Sequence, residues 1–272
     1  MRFGLDVANQ RMPFAENMAR VKFAESLGFD GVWGFDHFQP MYGDGPGECF
    51  EAQTTLAAWA TATERVRVGV LITGMTYRHP AVFALESITI DHASNGRLEL
   101  SYGAAWFDKE HTELGIPFPE LKERVDAFEE AIQIVRGLLT TDNFTFEGKH
   151  YSTHDATLRP RPVQSPHPPI WVGASGEKRM MPIAAAYADV WHAFGPPEYM
   201  AQKSERLAMM AESAGRDPGE IQRASSLWLD DVDEAQRLID EWEKAGFDYL
   251  VCGWPGAGEE QVEAFAEAVL RG

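Results

Sequence analysis

The sequence predicts an α/β fold, a closed (β/α)₈ TIM barrel with a short insertion before its fifth strand. Three observations carry that reading. Short β-branched apolar runs alternate with helical stretches along the chain, as parallel strands buried on both faces require. Eight strand–helix units can be counted in 272 residues, and a barrel of this kind needs about 250. Right-handed crossovers leave few other ways to arrange so many parallel strands. An open doubly wound sheet is the alternative. It normally carries a glycine-rich loop after its first strand, and Asp6 to Met12 has none. No fixed-period repeat or low-complexity tract interrupts the alternation, so residues 1–272 read as a single domain.

The elements follow in order. The first strand is Phe3 to Val7, and the first helix runs from about Phe14 to Leu27, where Gly28 caps it. The second strand, Gly31 to Phe35, ends at Asp36-His37-Phe38. A loop rich in Gly and Pro, Gln39 to Gly47, leads to a helix over about Glu51 to Thr63. The third strand is Val66 to Thr73, stopped by Gly74. Pro80 opens the next helix, where its missing N–H costs nothing. Asn95-Gly96 is a turn signal, and Leu98 to Gly103 is the fourth strand. Phe107 to Phe118 reads as a loop or short helix, and Pro119 opens a long helix to about Leu139.

Thr140 to Pro169 breaks the rhythm. Phe144 to Tyr151 reads as a small hairpin turning at Gly148, and the prolines of Arg159 to Pro169 impose an extended path. This is the insertion, expected over the outside of the barrel. The remaining strands are Ile170 to Val172, Val190 to Ala193, Gln222 to Leu229 and Tyr249 to Cys252. Their helices cover about Lys178 to Tyr187, Pro197 to Ala214, Asp231 to Gly246 and Glu259 to Leu270.

Lys and Arg number 24 against 42 Asp and Glu, a net charge of −18. Nucleic-acid binders and peripheral membrane proteins normally show a basic face, so neither partner is expected. No apolar run is long enough to span a bilayer. The first residues read as a strand, without the apolar core of a signal peptide. Cys49 and Cys252 lie far apart, in no Cys-x-x-Cys arrangement, and read as ordinary thiols. A cytoplasmic protein acting on a small-molecule substrate is the expectation.

In parallel α/β folds chemistry sits on loops after strand C-termini. Asp36-His37 lies on such a loop; His37 reads as a proton-transfer candidate or as an ordinary loop histidine. The fourth strand stops at Gly103-Ala104-Ala105, small residues that let a ligand approach the backbone, followed by Trp106. Glu110-His111 reads equally as a proton-donor pair or as the polar face of a helix start. Gly173-Ala174-Ser175-Gly176 joins a strand to a helix N-terminus, with Lys178 and Arg179 adding positive charge. It reads as an anion site or as a tight turn with solvated charges. The other histidines, His192 among them, have no metal spacing, and the first strand lacks the His-x-His of a barrel metallohydrolase.

An ordered series of motifs resembles the luciferase-like monooxygenase superfamily, especially its branch using the deazaflavin coenzyme F420. The series includes Ala24 to Trp33 with Asp36-His37-Phe38, Tyr77-Arg78-His79-Pro80, Ser94 to Leu100, and Gly103 to Phe107. It continues through Leu114 to Pro119, Phe146 to Tyr151, Pro160 to Gln164 and Pro169 to Gly176. The resemblance implies the same barrel and an F420-dependent oxidoreductase, with FMN as the alternative coenzyme. It implies that Gly173, Ala174, Ser175, Gly176 and Lys178 take the coenzyme phosphate, and that His37 contacts the ring with Asp36 orienting it. It places a non-proline cis peptide at Val70-Leu71 behind the ring, with Thr73 beside it, and Gly103, Ala104 and Trp106 on the facing loop. Homodimers are common in the family. An FMN monooxygenase and a non-catalytic flavin-binding barrel are the rival readings. The chain departs from the pattern in carrying Ala105 and Ala174 where glycine is frequent. Alanine at 105 suits the site if its φ is negative. Pro182 requires that its helix start late or kink.

Overall fold

A computed structural model describes residues 1–271. The barrel strands are β1 (Arg2–Asp6), β2 (Gly31–Gly34), β3 (Arg67–Val70), β4 (Leu98–Tyr102), β7 (Ile170–Gly173), β8 (Val190–His192), β9 (Gln222–Trp228) and β10 (Tyr249–Gly253). They close in the order β1-β10-β9-β8-β7-β4-β3-β2, and every ladder is parallel. The remaining pair, β5 (Phe144–Glu147) and β6 (Ser152–Ala156), is an antiparallel hairpin outside the barrel. The hairpin therefore extends past Tyr151, with its turn over residues 148–151. Glu130 pins that turn, accepting the N–H groups of Lys149 at 2.8 Å, His150 at 2.7 Å and Tyr151 at 3.0 Å.

The helices are α1 (Phe14–Leu27), α2 (Ala52–Ala62), α3 (Pro80–Ala93), α4 (Asp108–Leu114), α5 (Leu121–Thr140), α6 (Met180–Tyr187), α7 (Pro197–Ser213), α8 (Val232–Lys244) and α9 (Glu259–Phe265). Residues 107–118 thus hold a short helix, α4. In α5 the residues Val125, Phe128, Ile132, Val135 and Leu139 recur at helical spacing and are all buried. Helix α6 starts at Met180, two residues later than expected. Pro182 then sits in the first turn, where an N–H has no intrahelical partner, and the helix needs no kink. The last helix is α-helical only to Phe265 and continues as a π turn over Ala266–Leu270.

Packing inside the barrel pairs large with small side chains. Trp33, Trp171 and Tyr249 fill the centre, with Trp33 and Trp171 ring centroids 4.4 Å apart and Trp33 Nε1 donating to the Tyr249 hydroxyl at 3.1 Å. Trp33 lies between Gly4 of β1 and Gly69 of β3, and a Cβ on either glycine would collide with the indole. Gly69→Ala is accordingly expected to destabilise the protein by about 1–3 kcal/mol through overpacking, measurable as a lower urea midpoint with an unchanged m-value.

One ladder is interrupted. β3 and β4 pair through Val68–Leu98 and Gly69–Glu99, then separate, and pairing resumes only at a Gly74–Gly103 bridge. The intervening Leu71-Ile72-Thr73 bulges into the mouth at the C-terminal ends of the strands, which is where the candidate site lies.

Candidate active site

A cavity of about 470 Å³ occupies that mouth, within the range of small-molecule and coenzyme sites. Loops after five parallel strands line it: Asp36 and His37 after β2, Leu71 to Gly74 after β3, Gly103 to Trp106 after β4, Gly173 to Gly176 at β7, and His192 to Phe194 at β8. The parallel topology alone brings these residues to one end.

The floor is Ile72. The non-proline cis peptide lies at Leu71-Ile72, one residue beyond the expected Val70-Leu71. Val70 instead closes β3 with its side chain in the core, away from the cavity. The Ile72 side chain fills the space where Gly103 and Gly173 lack a Cβ; one built there would lie 3.1 and 2.9 Å from Ile72 carbons. The two glycines thus admit the bulge, which then presents itself to the cavity. Thr73 is buried and held by Gln53 Nε2 at 3.1 Å and by Ser101 Oγ, which accepts its N–H at 3.1 Å.

His37 stands in the wall with Nδ1 at 2.7 Å from Glu110 Oε1. A carboxylate can only accept, so Nδ1 carries the proton and Nε2 is the ring nitrogen left for a ligand. Glu110 is fully buried and comes from the first turn of α4. Its Oε2 accepts the Phe38 N–H at 2.7 Å, and its Oε1 also accepts from the Tyr77 hydroxyl. Burial alone would raise the Glu110 carboxyl; the hydrogen bonds from His37, Tyr77 and Phe38 outweigh it and hold the carboxyl below its usual range. Glu110 therefore orients His37, the role the resemblance gave to Asp36.

Asp36 does other work. Buried, it accepts both Arg78 Nη1 at 2.6 Å and Nη2 at 3.1 Å, and the Gly74 N–H at 3.1 Å. Burial raises its carboxyl, with Arg78 opposing. Arg78 also pairs with Glu51, which caps α2 by accepting the Gln53 and Thr54 N–H groups, and lies 3.3 Å from Glu86. One guanidinium thus ties the exits of β2 and β3 to the start of α2.

His111 lies outside the cavity. Its Nδ1 donates to the Phe107 carbonyl at 2.7 Å, its Nε2 lies 2.6 Å from Thr76 Oγ1, and its ring stacks on Tyr77. These contacts brace the Tyr77–Glu110 pair. Trp106 is two-thirds exposed and meets His37 edge-on at 5.8 Å. Beside it Ala105 has φ +60°, not the negative value that would have suited alanine. That left-handed conformation costs an alanine about 1 kcal/mol relative to glycine.

Ala174 is buried, whereas Ser175 and Gly176 are exposed, and their N–H groups and that of Glu177 donate to no acceptor among the described residues. Nearby cations are mostly engaged: Lys203 and Arg206 on Glu177, Arg179 on Asp126. Lys178 is exposed and forms no ion pair among the described residues, although its side chain is not part of the cavity wall. Sequence reasoning missed His192. Its ring lines the cavity, Nε2 lies 3.2 Å from Ser226 Oγ, and burial pushes its pKa down to about 3, so it is neutral at physiological pH. Its signal was its position at a strand exit.

The depressed Glu110 carboxyl has a linkage consequence. Its contribution to stability is present above the ordinary value of 4.5 and is lost as pH falls through the lower folded-state value. Glu110→Gln should therefore flatten the fall of Tm with acidification below pH 4.5, compared with the unaltered protein over the same range.

Fold and site together define a (β/α)₈ protein with an open cavity at its C-terminal mouth, beside a carboxylate-oriented histidine. The chain belongs to the luciferase-like monooxygenase family, whose model matches residues 1–243. An F420-dependent glucose-6-phosphate dehydrogenase of Microbacterium testaceum is 37% identical over 177 residues, 65% of this chain and 52% of that protein. An FMNH2-dependent dimethylsulfone monooxygenase of Pseudomonas putida is 35% identical over 159 residues, 58% of this chain and 43% of that protein. The chain spans about half the length of these curated relatives. Among solved structures, an F420-dependent secondary alcohol dehydrogenase in complex with an F420-acetone adduct shares the fold with TM-score 0.87, at 21% identity over 99% of this chain and 98% of that one. No helix among the described residues is long and apolar enough to cross a membrane.

Proposed function

We propose that this protein is an oxidoreductase that binds the deazaflavin coenzyme F420 at its barrel mouth and uses it for hydride transfer to or from a small organic substrate. The observation that carries the reading is the buried Glu110 holding His37 with Nε2 left for the cavity. Room for a flat ring over the Ile72 floor and free N–H groups at Ser175 and Gly176 support it. When bound, a deazaflavin supplies a hydride acceptor or donor that reacts poorly with oxygen.

The residues then divide the remaining work. His37 takes the hydroxyl proton of an alcohol at Nε2 during oxidation, or returns it to a carbonyl during reduction. Glu110 keeps the ring in place and stabilises the imidazolium. Leu71, Trp106 and Phe194 give the mouth apolar walls, which keep water from the reacting carbon once coenzyme and substrate cover them. Ser175, Gly176 and Lys178 take the coenzyme phosphate.

The FMNH2-dependent relative supports a second reading, an FMN monooxygenase fed by a separate reductase. The test supplies reduced F420 or reduced FMN with a panel of carbonyl compounds and follows coenzyme absorbance and oxygen uptake together. F420 consumption without oxygen uptake is expected; oxygen uptake that needs reduced FMN and substrate favours the monooxygenase.

A further inference from the structure

A second chamber, about 250 Å³, opens from the same mouth. It shares His37, Leu71, Trp106 and Phe194 with the first cavity, so these four side chains stand between the two spaces. Its far wall is built by the ends of β1, β9 and β10, on the side of the barrel away from the Ser175 loop. This wall is apolar and aromatic apart from Ser226, whose Oγ faces His192, and one charged group. Trp228 lies across the end of β10 where Gly253 has no Cβ; a Cβ there would stand 2.6 Å from the indole. Trp228 and Tyr42 are both more than 60% exposed, with relative accessibilities of 62% and 66%. Large aromatic surface held open to solvent in a concave site marks a place that a ligand covers.

The charged group is Asp6, the last residue of β1. Its Oδ1 accepts the Ala8 N–H at 2.9 Å, and its other oxygen accepts no hydrogen bond among the described residues. No Lys or Arg lines the chamber, and Asp6 forms no ion pair among the described residues. Burial pushes its carboxyl up to about 6, and its charge in turn raises the Tyr42 phenol behind burial's own effect. A carboxylate in such surroundings is costly unless a donor meets it.

We propose that this second chamber is the substrate chamber, and that Asp6 selects substrates bearing a hydrogen-bond donor, a hydroxyl or a protonated amine, at the end remote from the reacting carbon, against phosphate esters and other anions. His37 lines both spaces and Asp6 only the second, at the end of the neighbouring strand β1, so a compact alicyclic or aromatic body held in the chamber meets both groups. A phosphate or carboxylate in that position would meet Asp6 with no cation to offset it. This assignment of substrate class rests on the coenzyme reading above for the turnover it describes, but the chamber's preference for donors stands on Asp6 alone.

The test uses four probes with one body: trans-4-aminocyclohexanol, 1,4-cyclohexanediol, cyclohexanone and 4-oxocyclohexanecarboxylate, the last two carrying no hydroxyl or amine donor. Their binding to the coenzyme-free protein is followed at neutral pH by tryptophan fluorescence, and turnover is followed separately with F420. The amine and the diol should bind roughly tenfold or more tightly than the other two, the scale of one charge-assisted hydrogen bond. Asp6→Asn should abolish the preference for the amine and relax the discrimination against the carboxylate, while the diol, which can still donate to the amide oxygen, binds nearly as before. In turnover the loss should appear in KM, with kcat and F420 affinity little changed. Asp6→Glu, which retains the charge, should retain the amine preference; it keeps the proposal testable if Asp6→Asn misfolds. Equal binding of all four probes, no binding of any, or an order unaltered in Asp6→Asn would overturn the proposal. The expected binding order with no F420 response would leave the chamber assignment intact and refute the coenzyme reading instead.

Discussion

His37→Ala is expected to lower kcat for F420-linked turnover by about 10²- to 10⁴-fold, the usual contribution of a positioned general acid–base, while coenzyme affinity changes little. The reason is geometric. Nδ1 is occupied by Glu110, so the ring's only free nitrogen faces the cavity, and a proton acceptor used in the transition state contributes to turnover more than to ground-state binding. Glu110→Gln should give a smaller loss, because an amide at that position still contacts His37 but stabilises its protonated form less. Steady-state kinetics paired with coenzyme titration on both variants separates these effects. Equal losses in affinity and kcat would make His37 a binding group only.

Arg78→Met should produce the largest loss of stability, about 3–5 kcal/mol, because it leaves buried carboxylate unpaired. Asp36 has no other charged partner among the described residues, and Glu51 and Glu86 converge on the same guanidinium. The exits of β2 and β3 would both loosen, so the His37 loop should also lose its position. Urea unfolding measures the first effect, and loss of kcat in the fraction still folded measures the second. Arg78→Lys should recover only part of either, since an ammonium cannot bridge Asp36 with two parallel N–H groups.

The barrel was legible because its evidence is local. Runs such as Val68 to Ile72 and Ile170 to Val172 are apolar at every position, and the turns between elements carry their own markers, Gly28 in a left-handed cap and Pro80 at a helix start. Residues that follow strands also fall together once the barrel closes, which puts His37, Thr73, Trp106 and Ser175 on one cavity. What the sequence concealed were partners and backbone angles. His37 and Glu110 are 73 positions apart, and nothing local distinguishes Glu110 from the adjacent Asp36 as the group that orients the ring. Asp36 turned out to face Arg78 because the β3 exit folds back over it. The cis peptide was misplaced by one residue, since Val70, Leu71 and Ile72 are interchangeable by composition and only the Gly103–Gly173 gap singles out Ile72. Ala105 took a left-handed φ that alanine does not advertise. His192 carried no motif, only its place at the end of β8.

The central claim is that the mouth holds a deazaflavin, and the most direct measurement is a titration of the coenzyme-free protein with F420 and with FMN in separate experiments, followed by coenzyme absorbance and by quenching of tryptophan emission. Trp106 lines the cavity and is exposed, so occupancy should quench it. Saturable binding of F420 with much weaker binding of FMN is the predicted result. Tight binding of FMN with negligible binding of F420 would contradict it and make the protein a flavin-dependent monooxygenase in its place.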